Sequence, residues 1–457
     1  MQQSNLRRTI FALAGVSLTM TLAACGGGDG DPAGTTSAIA SQQCGTAGNC
    51  PPSGPTVNQP VAALCPASLD YGTTYTGGSG AGEFMKMQFD TAKGTYQITI
   101  IESAVPKTPG TVSPTRAGVT LTGTMTHPTK PLPTTTQNNC AFELKTVTAS
   151  DGTSQAIIDP ANPPIIFVGN GVAGGGIPGA TISYPGVVPA LGIGTIPART
   201  FPMYPVLAFA STETDFSKVA GTYNVLGYHL VPSGGTSIGG THYAPATANV
   251  VETLKADGSC TPATGNACKS TGQPWHLRAG TDGAFDSNND GGPGSQPYPY
   301  FYSTAVAPAN ARARGVLVVG KLDGQQVPLL VRVGYASING LLSINVDDES
   351  GLALLSPVTL ATQSTMQGSY IGSGSDFKYT FSIVQNNVVA LLDPQDASLR
   401  PVGGFQMDFT QATRAGVIAT TDNSGNTGSL ITAGPVYAHL FGPGANPTFR
   451  VSALASR

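Results

Sequence analysis

Residues 377–393 read FKYTFSIVQNNVVALLD, which is the best candidate for a β-hairpin in the sequence. Residues 377–384 and 388–393 are two runs of mainly apolar, aromatic and β-branched side chains, which favour strands. Residues 385–387 (QNN) separate the runs, and asparagine tolerates the left-handed backbone of a tight turn. The pattern therefore predicts a β-hairpin.

Comparable patterns recur along the chain. Residues 94–100 (GTYQITI) and 118–125 (GVTLTGTM) are strand-like, and residues 315–319 and 329–333 are apolar runs beside glycine-containing loops. Glycine (59 residues) and proline (36 residues) interrupt the chain every few positions, so no long helical pattern develops. These features predict an all-β fold of antiparallel sheets, sandwich- or barrel-like.

Two short sequence motifs, called words below, each occur three times, and they occur in the same order each time. The glycine of each word permits a tight turn or bulge, and the tyrosine of the first word opens a strand with its ring packed. The first word lies at residues 93–96, 220–223 and 367–370, and the second at 115–119, 312–316 and 413–417. They predict three related β modules, or one large β fold with pseudo-repeats. Their uneven spacing argues against a propeller or a solenoid.

The chain is predicted to consist of a leader, a tether and three modules. Residues 26–60 are rich in Gly, Ser, Thr, Ala, Gln and Pro, and such a segment cannot bury enough apolar surface to fold. We therefore expect a disordered, flexible N-terminal tether. The segments are a signal peptide at 1–24, the tether at 25–60, and β modules at 61–215, 216–360 and 361–457.

The N-terminus has the pattern of an export signal. An arginine pair precedes an uncharged, mostly apolar run, residues 9–21, that is too short to span a bilayer. Residues 22–25 then read LAAC, which resembles the lipobox of bacterial lipoproteins. The resemblance implies a diacylglyceryl thioether on Cys25, cleavage before it and acylation of the new amine, which would anchor the chain in a membrane. Gly26 follows where an aspartate would favour the inner membrane, so we expect the outer membrane.

Six further cysteines predict disulfides, because an even number in an exported chain is typical of paired thiols. The two close pairs lack the C-x₂₋₄-C spacing of zinc sites. By proximity we expect the pairs Cys44–Cys50, Cys65–Cys140 and Cys260–Cys268.

One segment resembles a calcium loop. Asp286, Asn288 and Asp290 alternate as oxygen ligands before a glycine, a spacing that suits a hard cation. The closing glutamate is missing, since its position is Pro297, so an exposed Asn/Asp/Gly turn is the favoured interpretation. A structural calcium ion is the one cofactor that the sequence suggests.

Aromatic residues mark a candidate binding surface around the single tryptophan. Exposed, these rings would stack on sugars or seat a partner protein; buried, they would belong to the core. The residues are Trp275, Tyr298, Tyr300 and Tyr302.

Residues 235–239 match the hydrolase pattern G-x-S-x-G, with Ser237 as the serine and His242 nearby. No helix pattern follows, so we interpret the match as a glycine-rich loop. The acidic cluster at 347–349 is interpreted as a solvated turn. Residues 160–198 contain no charge and many glycines and prolines, which predicts a long apolar loop in the first module.

The expected function rests mainly on the predicted cellular location and on the amino-acid composition. Only 10% of residues are charged, the net charge is −3 and no basic cluster occurs, which argues against nucleic acid as a partner. As a whole, the chain looks like the uncharacterised β-rich lipoproteins of Gram-negative bacteria. We expect a non-enzymatic binding or structural protein that faces the periplasm or the cell surface, with a glycan or an envelope protein as partner. The alternative is a hydrolase acting on an envelope polysaccharide or ester.

Overall fold

The structure is a computed structural model. It describes residues 64–456 apart from 131, 133, 192–194, 235–239, 263–274, 279–281, 287–313, 335, 339–343, 347–349, 360, 395, 397–399, 411–413 and 443–445. All described residues belong to one unit, Pro55–Arg457.

Antiparallel strands make up most of the described residues, as the sequence predicts. One α-helix, α1, spans Thr135–Asn139, and short 3₁₀ turns lie at Pro189–Leu191, Phe216–Lys218 and Gln363–Met366. The strands are β1 (Tyr75–Ser79), β2 (Glu83–Asp90), β3 (Thr95–Glu102), β4 (Thr120–Thr126), β5 (Ala141–Leu144), β6 (Thr148–Ala149), β7 (Ile165–Gly169), β8 (Val172–Tyr184), β9 (Ile196–Phe209), β10 (Gly221–Gly234), β11 (Gly240–Leu254), β12 (Cys260–Pro262), β13 (His276–Leu277), β14 (Phe285–Asp286), β15 (Arg314–Leu322), β16 (Gln325–Val333), β17 (Ala336–Ile338), β18 (Ile344–Val346), β19 (Ser350–Pro357), β20 (Gly368–Gly374), β21 (Tyr379–Gln385), β22 (Val388–Leu392), β23 (Pro401–Asp408), β24 (Ile418–Asp422), β25 (Thr427–Ala433), β26 (Val436–Phe441) and β27 (Thr448–Ser456).

The first barrel is closed by two pairings between strands. Its ring runs β3-β2-β1-β9-β8-β7-β5-β4, and β4 pairs again with β3. Thr76 of β1 faces Phe209 of β9, a pairing that joins the first and last strands of this ring in chain order. Large apolar side chains such as Met85, Phe89 and Ile98 fill the interior, so the barrel is a packed core.

The middle sheet has eight strands in the order β12-β11-β10-β19-β16-β15-β14-β13, and β17 and β18 form a separate hairpin. One face of this sheet carries its own core, which includes Tyr223, Trp275 and Phe285. The opposite face contributes Val318 and Leu354 to a second core that residues of the other two sheets share.

Strands β20 to β27, the third group of strands along the chain, close in sequential order into the second of the two barrels, which is called the third barrel after its place in the chain. Ile371 of β20 faces Ala453 of β27, which completes the ring. The predicted hairpin of residues 377–393 is confirmed: it forms β21 and β22, and Asn386 in its turn has φ +54°. Of the two architectures that the sequence left open, barrels are observed in the first and last groups of strands.

The repeated tyrosine word opens a strand at each occurrence, as predicted. Tyr96, Tyr223 and Tyr370 are all buried near the starts of β3, β10 and β20. In the second and third occurrences, a 3₁₀ turn precedes the word, and the tyrosine hydroxyl donates to the carbonyl oxygen four residues earlier. These oxygens belong to Val219, at 2.6 Å, and Met366, at 3.1 Å. The predicted module boundaries themselves stay predictions.

The predicted apolar loop at residues 160–198 is wrong. The segment forms β7, β8 and the beginning of β9, which are connected by residues 170–171 and 185–195. Strand β8 is buried on both faces over most of its length: Ala173 and Ile177 enter the first barrel's core, and Val172 enters the shared core. Burial on both sides removes the polar alternation that identifies a strand in a sequence.

One predicted disulfide is confirmed. Cys65 and Cys140 are bonded, with their Cα atoms 5.6 Å apart. The remaining cysteine side chains lie outside the described residues. None of the helices in the described part of the chain is both long and apolar enough to cross a membrane.

Candidate functional site: an aromatic crevice where three sheets meet

A crevice lies at the point where both barrels and the middle sheet converge. Strand β9 contributes Phe201 and Tyr204, and the middle sheet contributes Tyr228. The third barrel contributes Phe377, from the β20–β21 turn, and Phe449, from β27. The crevice has a volume of about 30 Å³, which is room for one or two water molecules rather than for a whole sugar ring.

Aromatic rings form one wall of the crevice. Phe201 stacks on Tyr204 with ring centroids 5.2 Å apart, and Phe377 meets Phe201 edge-to-face at 5.5 Å. Tyr243 of β11 adds a second edge-to-face contact with Phe201 at 6.0 Å. Phe201 and Tyr204 are buried, whereas Phe377 and Tyr243 are half-buried. The cluster therefore has a fixed base and a partly accessible rim.

A single cation lies over two of these rings. The guanidinium carbon of Arg199 is 5.1 Å from the centroid of Phe201 and 5.2 Å from that of Phe377. Phe377 has φ +57°, a backbone conformation that a bulky residue adopts at a cost. The hydrogen bond from its N–H to the carbonyl of Gly374, 2.9 Å, holds the turn that presents the ring.

Hydroxyl groups supply the polar part of the crevice. The Tyr228 side chain is hydrogen-bonded to that of Ser375, and burial raises the pKa of Tyr228, so its hydroxyl stays protonated at neutral pH. Ser373 donates to the carbonyl oxygen of Gly175 at 2.5 Å, which ties the third barrel to β8. The crevice therefore combines aromatic faces, a cation and neutral hydroxyls.

Trp275, the one described residue of the predicted aromatic surface, is not part of this crevice. Trp275 is only 6% exposed and belongs to the core of the middle sheet, so its ring is not free to stack on a ligand. Tyr298, Tyr300 and Tyr302 lie outside the described residues. Burial of Trp275 was the alternative that the sequence left open.

The predicted calcium loop is only partly described. The Asp286 carboxylate accepts a hydrogen bond from Arg278 Nη1 at 2.7 Å. Arg278 also pairs with Glu102 at 2.5 Å and with Asp282 at 2.9 Å, so an arginine serves as the counter-charge here. Asn288 and Asp290 lie outside the described residues, and no group of three metal-ligating side chains occurs among the residues that are described.

The predicted serine motif is not assembled into a described site. Ser237, residues 347–349 and the lipobox Cys25 fall outside the described residues. His242 lies on β11 opposite Ser233 and is exposed. A different histidine, His439, contacts Thr420 at 2.9 Å inside the third barrel, where burial lowers its pKa to about 3 and leaves the ring neutral.

Sequence reasoning missed the crevice residues. Arg199, Phe201 and Phe377 lie in ordinary strand and turn contexts, and they come together only because β9 and the β20–β21 turn are neighbours in space. The one available signal was local: Phe377 begins the segment FKYTFSIV directly after a Gly-Ser-rich stretch.

Comparison with known proteins gives a family and no activity. No curated protein matches the chain at a significant level. A family model described as a protein of unknown function, DUF2957, matches residues 95–453, which is more than half of the chain. The matched range includes the second and third occurrences of the tyrosine word, strand β9, most of β27 and every aromatic residue of the crevice. The chain therefore belongs to the DUF2957 family.

Proposed function

We propose that the protein is a lipid-anchored lipoprotein of the bacterial outer membrane that binds an envelope glycan and catalyses no reaction. The anchoring rests on the lipobox-like residues 22–25, and the binding role rests on the crevice. The observation that carries the binding role is the arginine over two aromatic rings, since rings of this kind stack on the apolar faces of sugars.

The size of the crevice decides how a glycan would bind. A volume of about 30 Å³ does not enclose a hexose, so the sugar lies across the mouth and inserts only an edge. The half-buried rings of Phe377 and Tyr243 offer the stacking surface, and Arg199 offers hydrogen-bond donors to sugar oxygens. An envelope protein that inserts one apolar side chain is the competing partner.

Co-sedimentation with purified peptidoglycan and with lipopolysaccharide tests the glycan. The wild-type chain should sediment with one of them, and Phe377→Ala should lose at least about tenfold in affinity because one stacking partner is removed. The matched control is Tyr71→Ala, which removes a ring with Lys93 at 5.8 Å outside the crevice. Equal binding by the two variants, or no sedimentation of the wild type, would refute the glycan. Release of soluble fragments during the incubation would instead support the hydrolase alternative.

Metabolic labelling with a palmitate analogue tests the anchor. The wild-type chain should be labelled and should fractionate with the outer membrane, and Cys25→Ser should be neither labelled nor retained. Cys65→Ser is the control, since this cysteine is disulfide-bonded and should not affect labelling. Equal labelling of the wild type and Cys25→Ser would overturn the proposed address.

A further inference from the structure

The interior of the third barrel contains a group of polar atoms without hydrogen-bond partners. Thr380 Oγ1, Ser452 Oγ and Arg450 Nε are buried, and none makes a hydrogen bond. Thr380 is 4% exposed and Ser452 is 1% exposed. A buried hydroxyl without a partner is costly, and three such atoms in one barrel call for a ligand that supplies the missing bonds.

These side chains point into the barrel from two strands, β21 and β27, which flank β20. Ser382, on the same face of β21 as Thr380, is 2.7 Å from the hydroxyl of Tyr437 in the barrel core. Leu454, on the same face of β27 as Ser452 and Arg450, belongs to that core as well. The unpartnered atoms of β21 and β27 therefore face the same barrel interior from the two sides of β20.

Two glycines on β20 keep the space between these atoms clear. Gly372 faces Thr380 on one side and Ser452 on the other, and a Cβ at Gly372 would lie 2.3 Å from Ser452 Oγ. Gly374 faces Arg450, and a Cβ there would lie 3.7 Å from Arg450 Nε and 2.6 Å from Asp376 Oδ1. A larger residue at Gly372 would therefore crowd Ser452, and one at Gly374 would crowd Asp376 beside Arg450.

The charges around the group favour an oxyanion. Arg450 Nη2 is 3.6 Å from Asp376 Oδ2, a loose ion pair that leaves Arg450 Nε unused, and the Asp376 side chain is 29% exposed. His439, opposite Arg450 on β26, stays neutral at physiological pH, so of these two facing residues Arg450 carries the positive charge. Two hydroxyl donors and one guanidinium N–H match the acceptors of a carboxylate or a phosphate.

We propose that the third barrel binds a small oxyanion, a carboxylate or a phosphate, through Arg450 Nε and the hydroxyls of Thr380 and Ser452. This site is distinct from the crevice, since Phe449 and Val451 line the crevice from the opposite face of β27. A glycan partner for the crevice and an oxyanion in the barrel are therefore independent.

Titration of the full chain with sodium acetate and with sodium phosphate tests the proposal, with sodium chloride at equal ionic strength as the reference. The unfolding temperature should rise with one or both anions, and the NMR resonance of Arg450 Nε–H should shift. Acetate is the probe for a carboxylate ligand and phosphate is the probe for a phosphate ligand, so the two responses show which class of oxyanion the site binds. No response beyond that of chloride would overturn the proposal.

Two matched variants make the test specific. Thr380→Val keeps the shape and removes an unpartnered hydroxyl, so it should raise or preserve the unfolding temperature without anion and weaken anion binding at least about tenfold. Ser382→Ala removes a hydroxyl that is already bonded to Tyr437, so it should lower the unfolding temperature and keep the anion response. A full anion response in Thr380→Val, or a destabilisation equal to that of Ser382→Ala, would refute the site.

Discussion

Arg116 Nη2 lies 2.6 Å from Glu83 Oε2, and neither side chain is exposed to solvent. Arg116 Nε also donates to Glu83 Oε1 at 3.0 Å, and Arg116 Nη1 donates to the carbonyl of Gln155 at 3.1 Å. The hydroxyl of Ser103 completes the set by donating to Glu83 Oε1 at 2.6 Å. The pair is therefore a fully bonded ionic contact between the second repeated word and β2.

Removing one member of this pair should strongly destabilise the chain. Arg116→Met leaves Glu83 buried without its counter-charge, and we expect a loss of about 3–5 kcal/mol in the free energy of unfolding, measured by urea denaturation. Lys93→Met breaks the pair of Lys93 with Asp90, in which the lysine is 72% exposed, and should cost far less than Arg116→Met. Similar losses for the two variants would show that the buried pair contributes little.

A second buried glutamate should make stability fall as the pH rises. Glu252 is fully buried opposite Tyr223, and burial raises its pKa from 4.5 to about 8. Between these pH values the folded chain keeps a proton that the unfolded chain releases. Stability from this group is present below pH 4.5, is lost on the order of 1.4 kcal/mol per pH unit up to pH 8, and is constant above it.

Glu252→Gln should remove that slope and stabilise the chain at pH 8, with little change at pH 4.5. Unfolding at pH 4.5, 6 and 8 measures both effects. Glu143→Gln is the matched control, because Glu143 is also buried but accepts hydrogen bonds from the N–H and the hydroxyl of Thr129 at 3.1 and 3.0 Å. That variant should be less stable than the wild type at every pH. A wild-type profile that Glu252→Gln leaves unchanged would contradict the prediction.

The hydroxyls of the repeated tyrosines in the middle sheet and in the third barrel should contribute equally to the free energy of unfolding. Tyr223→Phe and Tyr370→Phe each remove the hydroxyl that reaches back four residues, and each should cost about 1 kcal/mol. The two losses should add in the double variant, because the residues lie in different sheets. Tyr71→Phe, whose hydroxyl bonds Thr95 in a half-exposed position, is the control and should cost less. Chemical denaturation of the four variants decides the comparison.

The disulfide should stabilise the chain mainly through the length of the loop that it closes. Cys65 and Cys140 are separated by 75 residues, and closure of a loop of this size is worth roughly 4 kcal/mol in the chain-entropy description. Cys65→Ala/Cys140→Ala should therefore lower the unfolding free energy by that amount in oxidising buffer. Adding a reductant should lower the unfolding free energy of the wild type to that of the double variant. If the reductant destabilises both proteins equally, the effect comes from other cysteines.

Strands with a polar face or a clear turn were predictable. The hairpin of residues 377–393 combines apolar runs with an asparagine turn, and residues 94–100 alternate in burial as β3. Strand β8 was misread because both of its faces are buried and its glycines lie against neighbouring backbone. At Gly175, for example, a Cβ would meet the carbonyl oxygen of Ile165 at 2.2 Å. The glycines that suggested a loop are needed for close strand packing.

Barrel closure and the crevice were also unpredictable from the sequence, and the reason is different. Closure depends on the pairing of β1 with β9 and of β20 with β27, which join strands far apart in the chain. The crevice depends on three sheets meeting, and Phe201 and Phe377 carry no local pattern that indicates their contact. Local patterns report faces and turns, whereas the site depends on how completed sheets pack together.

Strand β8 belongs to the wall of one barrel and supports the outside of the other. Separation of the two barrels would expose Val172 of the shared apolar core to water. Opening of the first barrel would break the hydrogen bond from Ser373 to the carbonyl oxygen of Gly175. The Ser373 hydrogen bond and the shared apolar core tie the two barrels to each other. Pulling on the two ends of the folded body should therefore produce one abrupt rupture instead of a series of smaller extensions.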